Sequence, residues 1–322
     1  MANLKAGLIG LGMMGRHHAR VLGSLEGVDL VAVADPVGDT HGVAGDREVL
    51  RSIEELIAAG IDYCMVAVPT IYHEEIGLKL AASGVHSIIE KPLAPDVASA
   101  TRLAEAFEKA GLVGAVGHIE RYNPSLQEAR RRIEAGELGR VFQVTTRRQN
   151  GFPARIADVG VVKDLATHDI DLTAWVTQQE FVWVQARTAH RAGRDHEDLV
   201  SAVGQLADGT VTNHLVNWLS PFKERVTVIT GERGAYVCDT LTADLTFYAN
   251  GTQVEAWEDV ANFRGVSEGD VIRYAIAKPE PLKLEHENFR DAVLGKPADI
   301  VTMRQGLNTV KVADWMIESA KT

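Results

Sequence analysis

The length, composition and charge of the chain already exclude several classes of protein. It has 322 residues, of which 46% are hydrophobic and 24% are charged, and this composition is typical of a folded globular protein rather than a disordered or fibrous one. The formal net charge of −11 argues against nucleic acid and anionic membranes as partners, although a pocket can still be locally basic. A chain of this length exceeds one ordinary core, so we expect two domains.

The cysteines and the N-terminal residues favour a reducing, cytoplasmic location. Cys64 and Cys238 form no CxxC pair, so we expect neither a disulfide framework nor a thiolate zinc site. Residues 1–10 lack the charged and apolar blocks of a signal peptide, and no apolar run approaches the roughly 18 residues that a membrane span requires. We therefore predict a cytoplasmic protein without a membrane partner.

The first 120 residues alternate between short apolar runs and helical patterns. The apolar runs lie at 6–11, 30–34, 63–68, 85–89 and 112–116, and the helical patterns lie at 16–25, 52–59, 70–82 and 96–110. Ser52, with Glu55 three residues later, is the predicted cap of the second helix. Strands that are apolar on both faces and alternate with helices are typical of a parallel sheet covered on both sides. We predict an α/β domain over residues 1–120.

From residue 121 onward the pattern changes to consecutive strand-like runs. They lie at 141–148, 181–187, 199–206, 210–218, 226–229, 235–238 and 245–248, with helices at 124–135, 164–176 and 303–320. Asp208-Gly209 and Asn250-Gly251 are hairpin turn signals, and strands joined by tight turns form antiparallel sheets. We predict an α+β domain over residues 121–322 with a mostly antiparallel open sheet.

The glycine-rich segment Gly10-Leu11-Gly12-Met13-Met14-Gly15 predicts a dinucleotide site. It has the spacing G-x-G-x-x-G, follows a predicted strand and opens a predicted helix, whose N-terminus attracts phosphate. Asp35 ends the second strand 20 residues after the last glycine, where a carboxylate accepts ribose hydroxyls and repels a 2′-phosphate. The alternative is a structural turn beside a surface aspartate. The agreement of strand, turn, helix and acid favours NAD.

Lys91 is the first candidate for the chemistry. It lies in Ile88-Ile89-Glu90-Lys91-Pro92, directly after a predicted strand. Ligands of open parallel sheets bind at the carboxyl ends of the strands, so Lys91 is expected to face that cleft. The spacing alone is equally compatible with an exposed lysine in a loop.

The second candidate is the segment that contains Asp164, His168 and Asp171. Their spacing of i, i+4 and i+7 places them on one face of an α-helix. A carboxylate one turn from an imidazole can orient it, and the imidazole can then take a proton from a hydroxyl. The alternatives are a helix cap at Asp164 and a metal shared by Asp164 and His168. We predict no metal, because no third ligand is evident.

Taken together, these motifs resemble those of the Gfo/Idh/MocA oxidoreductases. The residues that carry the resemblance are Gly10 to Gly15, Asp35, Ala67-Val68-Pro69-Thr70 with His73, Glu90-Lys91-Pro92, Arg121-Tyr122-Asn123-Pro124 and Asp164 with His168. The resemblance implies a Rossmann domain followed by a domain whose open sheet often forms oligomer contacts. It also implies that Lys91 and His168 lie at the nicotinamide, with His168 as the general base and Asp164 beside the substrate. The implied cofactor residues are Gly10, Gly12, Met13, Met14, Gly15, Asp35, Pro69, Thr70, His73, Glu90 and Lys91.

Within that family, the chain is similar to the prokaryotic UDP-N-acetylglucosamine 3-dehydrogenases. The segments that carry this likeness are 117–124, 152–160, 165–171, 217–221 and 280–283. The likeness implies oxidation of a secondary sugar hydroxyl to a ketone by NAD, at C3 of a nucleotide sugar. Asn150 and Lys163 depart from the residues usual in that group. Oxidation of myo-inositol, a free sugar or a sugar phosphate is therefore the alternative.

A nucleotide sugar requires cations that balance its diphosphate. Arg147 and Arg148 are neighbours on a predicted strand and face opposite sides, so at most one can reach a pocket. We favour Arg155 and Lys163 for the phosphate oxygens. The predicted substrate residues are Arg121, Arg155, Lys163, Asp164 and His168. We expect a homodimer or homotetramer that forms through the C-terminal sheet, and a regulator that binds NAD without turnover is disfavoured because Lys91 and His168 are both present.

Overall fold

The computed structural model describes residues 3–152, 159–193, 195–251 and 268–321. The chain divides into two compact units, Met1–Ile119 with Glu280–Asp314, and Glu120–Pro279 with Trp315–Thr322. Residues 280–314 thus belong to the same unit as the N-terminal strands, although nothing in their sequence pattern signals this.

The first unit contains a parallel sheet. Among the described residues, six strands pair in the order β3-β2-β1-β4-β5-β6, and every pairing is parallel. The strands are β1 (Leu4–Ile9), β2 (Val28–Ala34), β3 (Val49–Leu50), β4 (Tyr63–Val66), β5 (His86–Glu90) and β6 (Gly114–Gly117). The strand order reverses between β1 and β4, and open α/β sheets bind ligands at the carboxyl side of such a point. The predicted α/β fold of this part is confirmed.

Helices flank both sheets. The described α-helices are α1 (Met13–Leu22), α2 (Ile53–Ala58), α3 (His73–Ala82), α4 (Val97–Ala110), α5 (Pro124–Glu134), α6 (Thr167–Thr177), α7 (Pro281–Val293) and α8 (Met303–Ser319). Two of them begin at side-chain caps: Ser52, as predicted, accepts a hydrogen bond from the Glu55 N–H, and Asp96 accepts one from the Ser99 N–H at 2.8 Å. In the described part of the chain, no helix combines the length and hydropathy needed to cross a membrane.

The second unit is built on a mostly antiparallel sheet, as predicted. In the described ranges, eight strands pair in the order β14-β13-β12-β11-β7-β10-β9-β8, with only β7 and β10 parallel. The strands are β7 (Val141–Gly151), β8 (Phe181–Ala189), β9 (Leu199–Leu206), β10 (Val211–Asn217), β11 (Leu219–Gly231), β12 (Gly234–Asp239), β13 (Asp244–Asn250) and β14 (Glu268–Arg273). The register of β7 and β11 shifts between Leu219 and Glu224.

The two faces of this second sheet differ in burial. One face packs with α5 and α6 through Val144, Ile229 and Leu172 in a buried core. Alternate side chains point to the other face. That face exposes large apolar side chains on five strands: Trp183, Val203, Val211, Tyr248 and Val271. We call these five residues the open-face patch.

Candidate functional site

The glycine turn after β1 has the close backbone approaches that the sequence predicts. Gly10 has φ of +95°, and a Cβ there would lie 2.4 Å from the Ala67 carbonyl oxygen. A Cβ on Gly15 would lie 1.9 Å from the Gly10 carbonyl oxygen. At Gly12, by contrast, a Cβ would meet no described atom within 4 Å. Gly10 and Gly15 are therefore required by the turn itself, whereas Gly12 lines open space at the start of α1.

Asp35 is tied to the glycine turn. Its Oδ2 accepts a hydrogen bond from the Leu11 N–H at 2.9 Å, and its Oδ1 accepts one from the Val37 N–H at 2.9 Å. These bonds fix the carboxylate at the end of β2 while leaving further lone-pair sites on both oxygens. The position therefore suits a carboxylate that also accepts ribose hydroxyls.

These residues fit a dinucleotide. The first N–H groups of a helix have no partner inside the helix, and they carry its partial positive charge. At α1 they adjoin the open space beside Gly12, with the half-exposed Met13 directly after it. A diphosphate can approach the backbone there, and Gly12, Met13, Met14 and Asp35 would hold the cofactor.

Pro69, Thr70 and His73 follow β4 at the same end of the sheet. Pro69 precedes a single 3-10 turn, Thr70–Tyr72, and Thr70 is buried. The His73 ring lies 3.0 Å from the Pro92 carbonyl oxygen through Nδ1 and 3.0 Å from the Val68 carbonyl oxygen through Nε2. Burial lowers the pKa of His73, so the ring is neutral and donates to one of these carbonyls. His73 thus links the segments after β4 and β5; contact with the cofactor stays a prediction.

A buried chain of three side chains leads to Lys91. Glu90 Oε2 accepts the Lys91 backbone N–H at 3.0 Å, and Glu90 Oε1 lies 2.9 Å from His18 Nε2. His18 Nδ1 lies 2.8 Å from His286 Nε2 on α7. Although burial raises the pKa of Glu90, the contacts with His18 and the charge of Lys91 lower it more, and the carboxyl is ionised.

His286 was not among the residues that the sequence predicts for the site. It lies 268 positions from His18, and no periodicity or motif connects them. Next to it, Glu285 is buried, and burial followed by the charge of Glu90 raises its pKa well above the ordinary range. Burial, with His18 second, lowers the pKa of His286. Both groups are therefore uncharged, and they leave Glu90 as the anion of this cluster.

Asp164 and His168 lie where a π-helical turn joins an α-helix. The turn covers Val162–Ala166, α6 begins at Thr167, and both side chains are 8% exposed. The prediction of one continuous α-helix from 164 is wrong, because hydrogen bonds from i to i+5 widen the turn that carries Asp164. The angular relation of Asp164 to His168 therefore differs from that of an α-helical i, i+4 pair. Such turns are frequent at functional sites.

Two buried arginines of the second unit form three ion pairs near this segment. Arg121 donates to both carboxylate oxygens of Asp171, at 2.8 and 2.6 Å. Arg148 donates to Glu120 at 2.8 Å and to Asp169 at 3.0 Å. Burial and the charge of Glu120 raise the pKa of Asp169 to about 6, against the opposing effect of Arg148. Substrate contact by Arg121 stays a prediction.

The other cations considered as phosphate ligands differ in where they lie. Arg155 lies outside the described residues. Lys163 is half-buried on the π-helical turn. Arg147 faces away from Arg148, as the alternation predicts, and pairs with Glu224 at 2.8 Å. Among the described residues, no group of three or more His, Cys, Asp or Glu side chains could hold a metal ion.

Two family models match the chain. The model described as "Oxidoreductase family, NAD-binding Rossmann fold" matches residues 4–118. The model described as "GFO/IDH/MocA C-terminal domain" matches residues 126–237. The two matches correspond to the glycine-turn sheet and to most of the antiparallel sheet.

Individual relatives extend this similarity. The UDP-N-acetylglucosamine 3-dehydrogenase of Acidithiobacillus ferrooxidans is 30% identical over 91% of this chain and 90% of its own length. A solved structure of that enzyme has a TM-score of 0.85 at 26% identity, and the match covers 100% of this chain and 98% of that chain. Inositol 2-dehydrogenase 2 of Saccharopolyspora erythraea is 31% identical over 61% of this chain, and the match spans 60% of that relative. The structure of GenD2 from gentamicin A biosynthesis in complex with NAD has a TM-score of 0.81 at 25% identity, covering 100% of this chain and 95% of that one.

Proposed function

Because the chain belongs to the GFO/IDH/MocA family of NAD-binding oxidoreductases, we propose that it oxidises C3 of a nucleotide sugar such as UDP-N-acetylglucosamine. The observation that carries this proposal is the extent of the match. The relative named as acting on UDP-N-acetylglucosamine matches 91% of the chain, whereas the first inositol relative matches 61%. The two relatives have nearly the same sequence identity with this chain where they align, so identity does not distinguish them. The longer match, which continues through the second unit, therefore supports a substrate class shared with the first relative.

Oxidation of myo-inositol is the second candidate. It is favoured by the similar identity of several inositol dehydrogenases, 31% for one and 30% for the scyllo-inositol 2-dehydrogenase of Bacillus subtilis. The two candidates differ in one physical respect. A nucleotide sugar carries a diphosphate and myo-inositol is uncharged, so only the former needs a cationic site.

The proposed chemistry removes the proton of a secondary hydroxyl and a hydride from the carbon that bears it, which leaves a ketone. NAD, when bound, supplies the hydride acceptor. His168 takes the hydroxyl proton as the general base. Lys91 donates a hydrogen bond to the same oxygen and stabilises the negative charge that develops on it. Asp164 orients His168 or accepts a hydrogen bond from a neighbouring substrate hydroxyl.

The test is substrate-dependent reduction of NAD. Purified protein with NAD is mixed separately with UDP-N-acetylglucosamine, myo-inositol and glucose 6-phosphate, and absorbance at the wavelength of NADH is followed. We expect an increase with UDP-N-acetylglucosamine. An increase with myo-inositol alone would favour the second candidate and contradict the first.

A variant assigns the base. His168→Ala should lower turnover by roughly 10²–10⁴, the usual contribution of a general base, while NADH affinity measured by fluorescence stays within two-fold. The exposed His41→Ala is the matched control and should keep both. Unchanged turnover in His168→Ala would remove this residue from the mechanism.

We also propose that the protein forms a homodimer or homotetramer through the open-face patch. Exposed apolar side chains towards both edges of one sheet face favour association with a second copy. Val203, on β9 next to the edge strand β8, is 41% exposed. Val203→Glu should shift the mass measured by analytical ultracentrifugation toward the monomer. An unchanged mass would argue against this face.

A further inference from the structure

Strand β11 carries two cations on the same side. Lys223 and Arg225 are two residues apart, and side chains at that spacing share a face of a strand. Glu224, between them, points the other way and pairs with Arg147. Lys223 is exposed, whereas the Arg225 side chain is 25% exposed. The pair thus runs from solvent toward the interior of the second unit.

Glu120, the carboxylate that Arg225 contacts, already pairs with Arg148. Arg225 lies directly across from Arg148 in the register of β7 and β11. Arg148 donates to Glu120 Oε1 at 2.8 Å, while Arg225 reaches the same oxygen at 3.4 Å. The Arg225 Nε is buried, and it has no hydrogen-bond partner in the described part of the chain. One oxygen therefore serves two guanidinium groups, and Arg225 receives the weaker contact.

The charges of these side chains oppose each other. Repulsion from Arg225, followed by burial, lowers the pKa of Lys223. Burial, followed by repulsion from Arg148, lowers the pKa of Arg225, although Glu120, Asp169 and Asp164 act in the opposite direction. A cation that is destabilised by other cations gains free energy when an anion binds between them. Lys223 and Arg225 therefore place two cations side by side on one face of β11, in a protein whose net charge is −11.

We propose that Lys223 and Arg225 bind a phosphoryl group of the substrate, namely the diphosphate of a nucleotide sugar. The guanidinium offers a planar pair of donors, and the ammonium offers a mobile charge that can follow the phosphate oxygens. The charge of Asp164 also acts on Arg225, which connects the cation pair to the turn that carries the candidate substrate residue. This inference rests on the proposed function and names the part of the substrate that the second unit recognises.

The test is calorimetric binding to the whole protein in saturating NADH, with which the proposed oxidation cannot proceed. The probes are UDP-N-acetylglucosamine, glucose 6-phosphate, inorganic pyrophosphate and myo-inositol. Lys223→Met removes one exposed charge and keeps the length of the side chain, while Lys223→Arg keeps the charge. Arg147→Met, on the opposite face of the same sheet, is the matched control.

We expect Lys223→Met to weaken binding of UDP-N-acetylglucosamine and pyrophosphate about ten-fold, the size of one charge-assisted contact. Lys223→Arg and Arg147→Met should bind both as the wild type does, and the dependence of affinity on salt should fall only in Lys223→Met. A loss confined to glucose 6-phosphate would identify a terminal phosphate as the ligand and contradict the diphosphate. Equal affinity of Lys223→Met and wild type for all probes would overturn the site.

The two proposals can fail separately. Loss of pyrophosphate binding in Lys223→Met, without oxidation of UDP-N-acetylglucosamine by the wild type, would refute the proposed reaction and retain the phosphoryl site. Oxidation of UDP-N-acetylglucosamine with the same KM in Lys223→Met and wild type would retain the reaction and refute the site.

Discussion

Gly12→Ala should separate cofactor binding from folding, because Gly12 lines open space whereas Gly10 and Gly15 are required by the turn. A Cβ at Gly12 meets no described atom within 4 Å, and the residue has φ of −75°, which alanine adopts readily. Alanine is a poorer helix cap than glycine by roughly 0.5–1 kcal/mol. It also restricts the unfolded chain, which is worth about 0.4–1 kcal/mol in the opposite direction. The two effects offset each other, so the melting temperature should stay within about 3 °C.

Cofactor affinity should respond differently. A methyl group needs about 3.5–4 Å to its neighbours, and the glycine lets a phosphate come closer than that to the backbone. We expect NADH to bind at least about ten-fold more weakly, a loss of about 1.4 kcal/mol, measured by fluorescence titration. Gly15→Ala is the contrasting variant, since its Cβ would lie 1.9 Å from the Gly10 oxygen. That variant should lose about 1–3 kcal/mol of stability or more, measured by urea unfolding. Wild-type NADH affinity in Gly12→Ala would refute the placement of the diphosphate.

Three further predictions concern single side chains. Asp35→Ala should reduce the ratio of NAD to NADP affinity by about ten-fold, because the carboxylate no longer repels a 2′-phosphate; equal preference in wild type and variant would contradict this. His286→Leu should lower turnover several-fold and displace the pH profile of turnover, because the contacts of His286 reach Glu90 through His18. His286→Gln keeps a donor near the Nε2 position and should restore both the turnover and the profile. If His286→Leu and the wild type had the same pH profile, His286 would have a structural role only. His214→Gln should flatten the loss of stability in acid. Burial lowers the folded pKa of His214 from 6.5 to about 4, so its contribution is present above pH 6.5 and is lost as the pH falls toward 4. The difference is ~3 kcal/mol, to be measured by urea unfolding at pH 7 and pH 4.5.

The parts of the fold that the sequence predicts are those with local causes. The glycine turn, the cap at Ser52 and the alternation of Arg147 and Arg148 each depend on residues within a few positions of one another. Backbone sterics, an unpaired N–H and the two-residue repeat of a strand act at that range. The same reasoning does not detect β3, because a strand of only Val49–Leu50 has too few residues to show a pattern.

The missed parts of the candidate site depend on distant segments. His286 reaches the first unit through residues 280–314, which the chain supplies only after the whole second sheet. The π-helical turn at Asp164 is not predicted by the sequence, since the i, i+4 spacing to His168 predicts an α-helix. In both cases tertiary packing decides the structure, and local propensity does not.

The cation pair on β11 shows why net charge is a poor guide to ligand charge. Glu224 would neutralise one of the two charges of Lys223 and Arg225 if all three lay on one face, but the alternation of the strand directs it to Arg147 instead. Arg148 then takes the better contact with Glu120. The fold therefore separates the charges around residue 224 onto opposite faces and places Lys223 and Arg225 together on one of them. A phosphate that binds there would sense that face and not the formal charge of the whole chain, because charges beyond about 10 Å are largely screened at physiological salt.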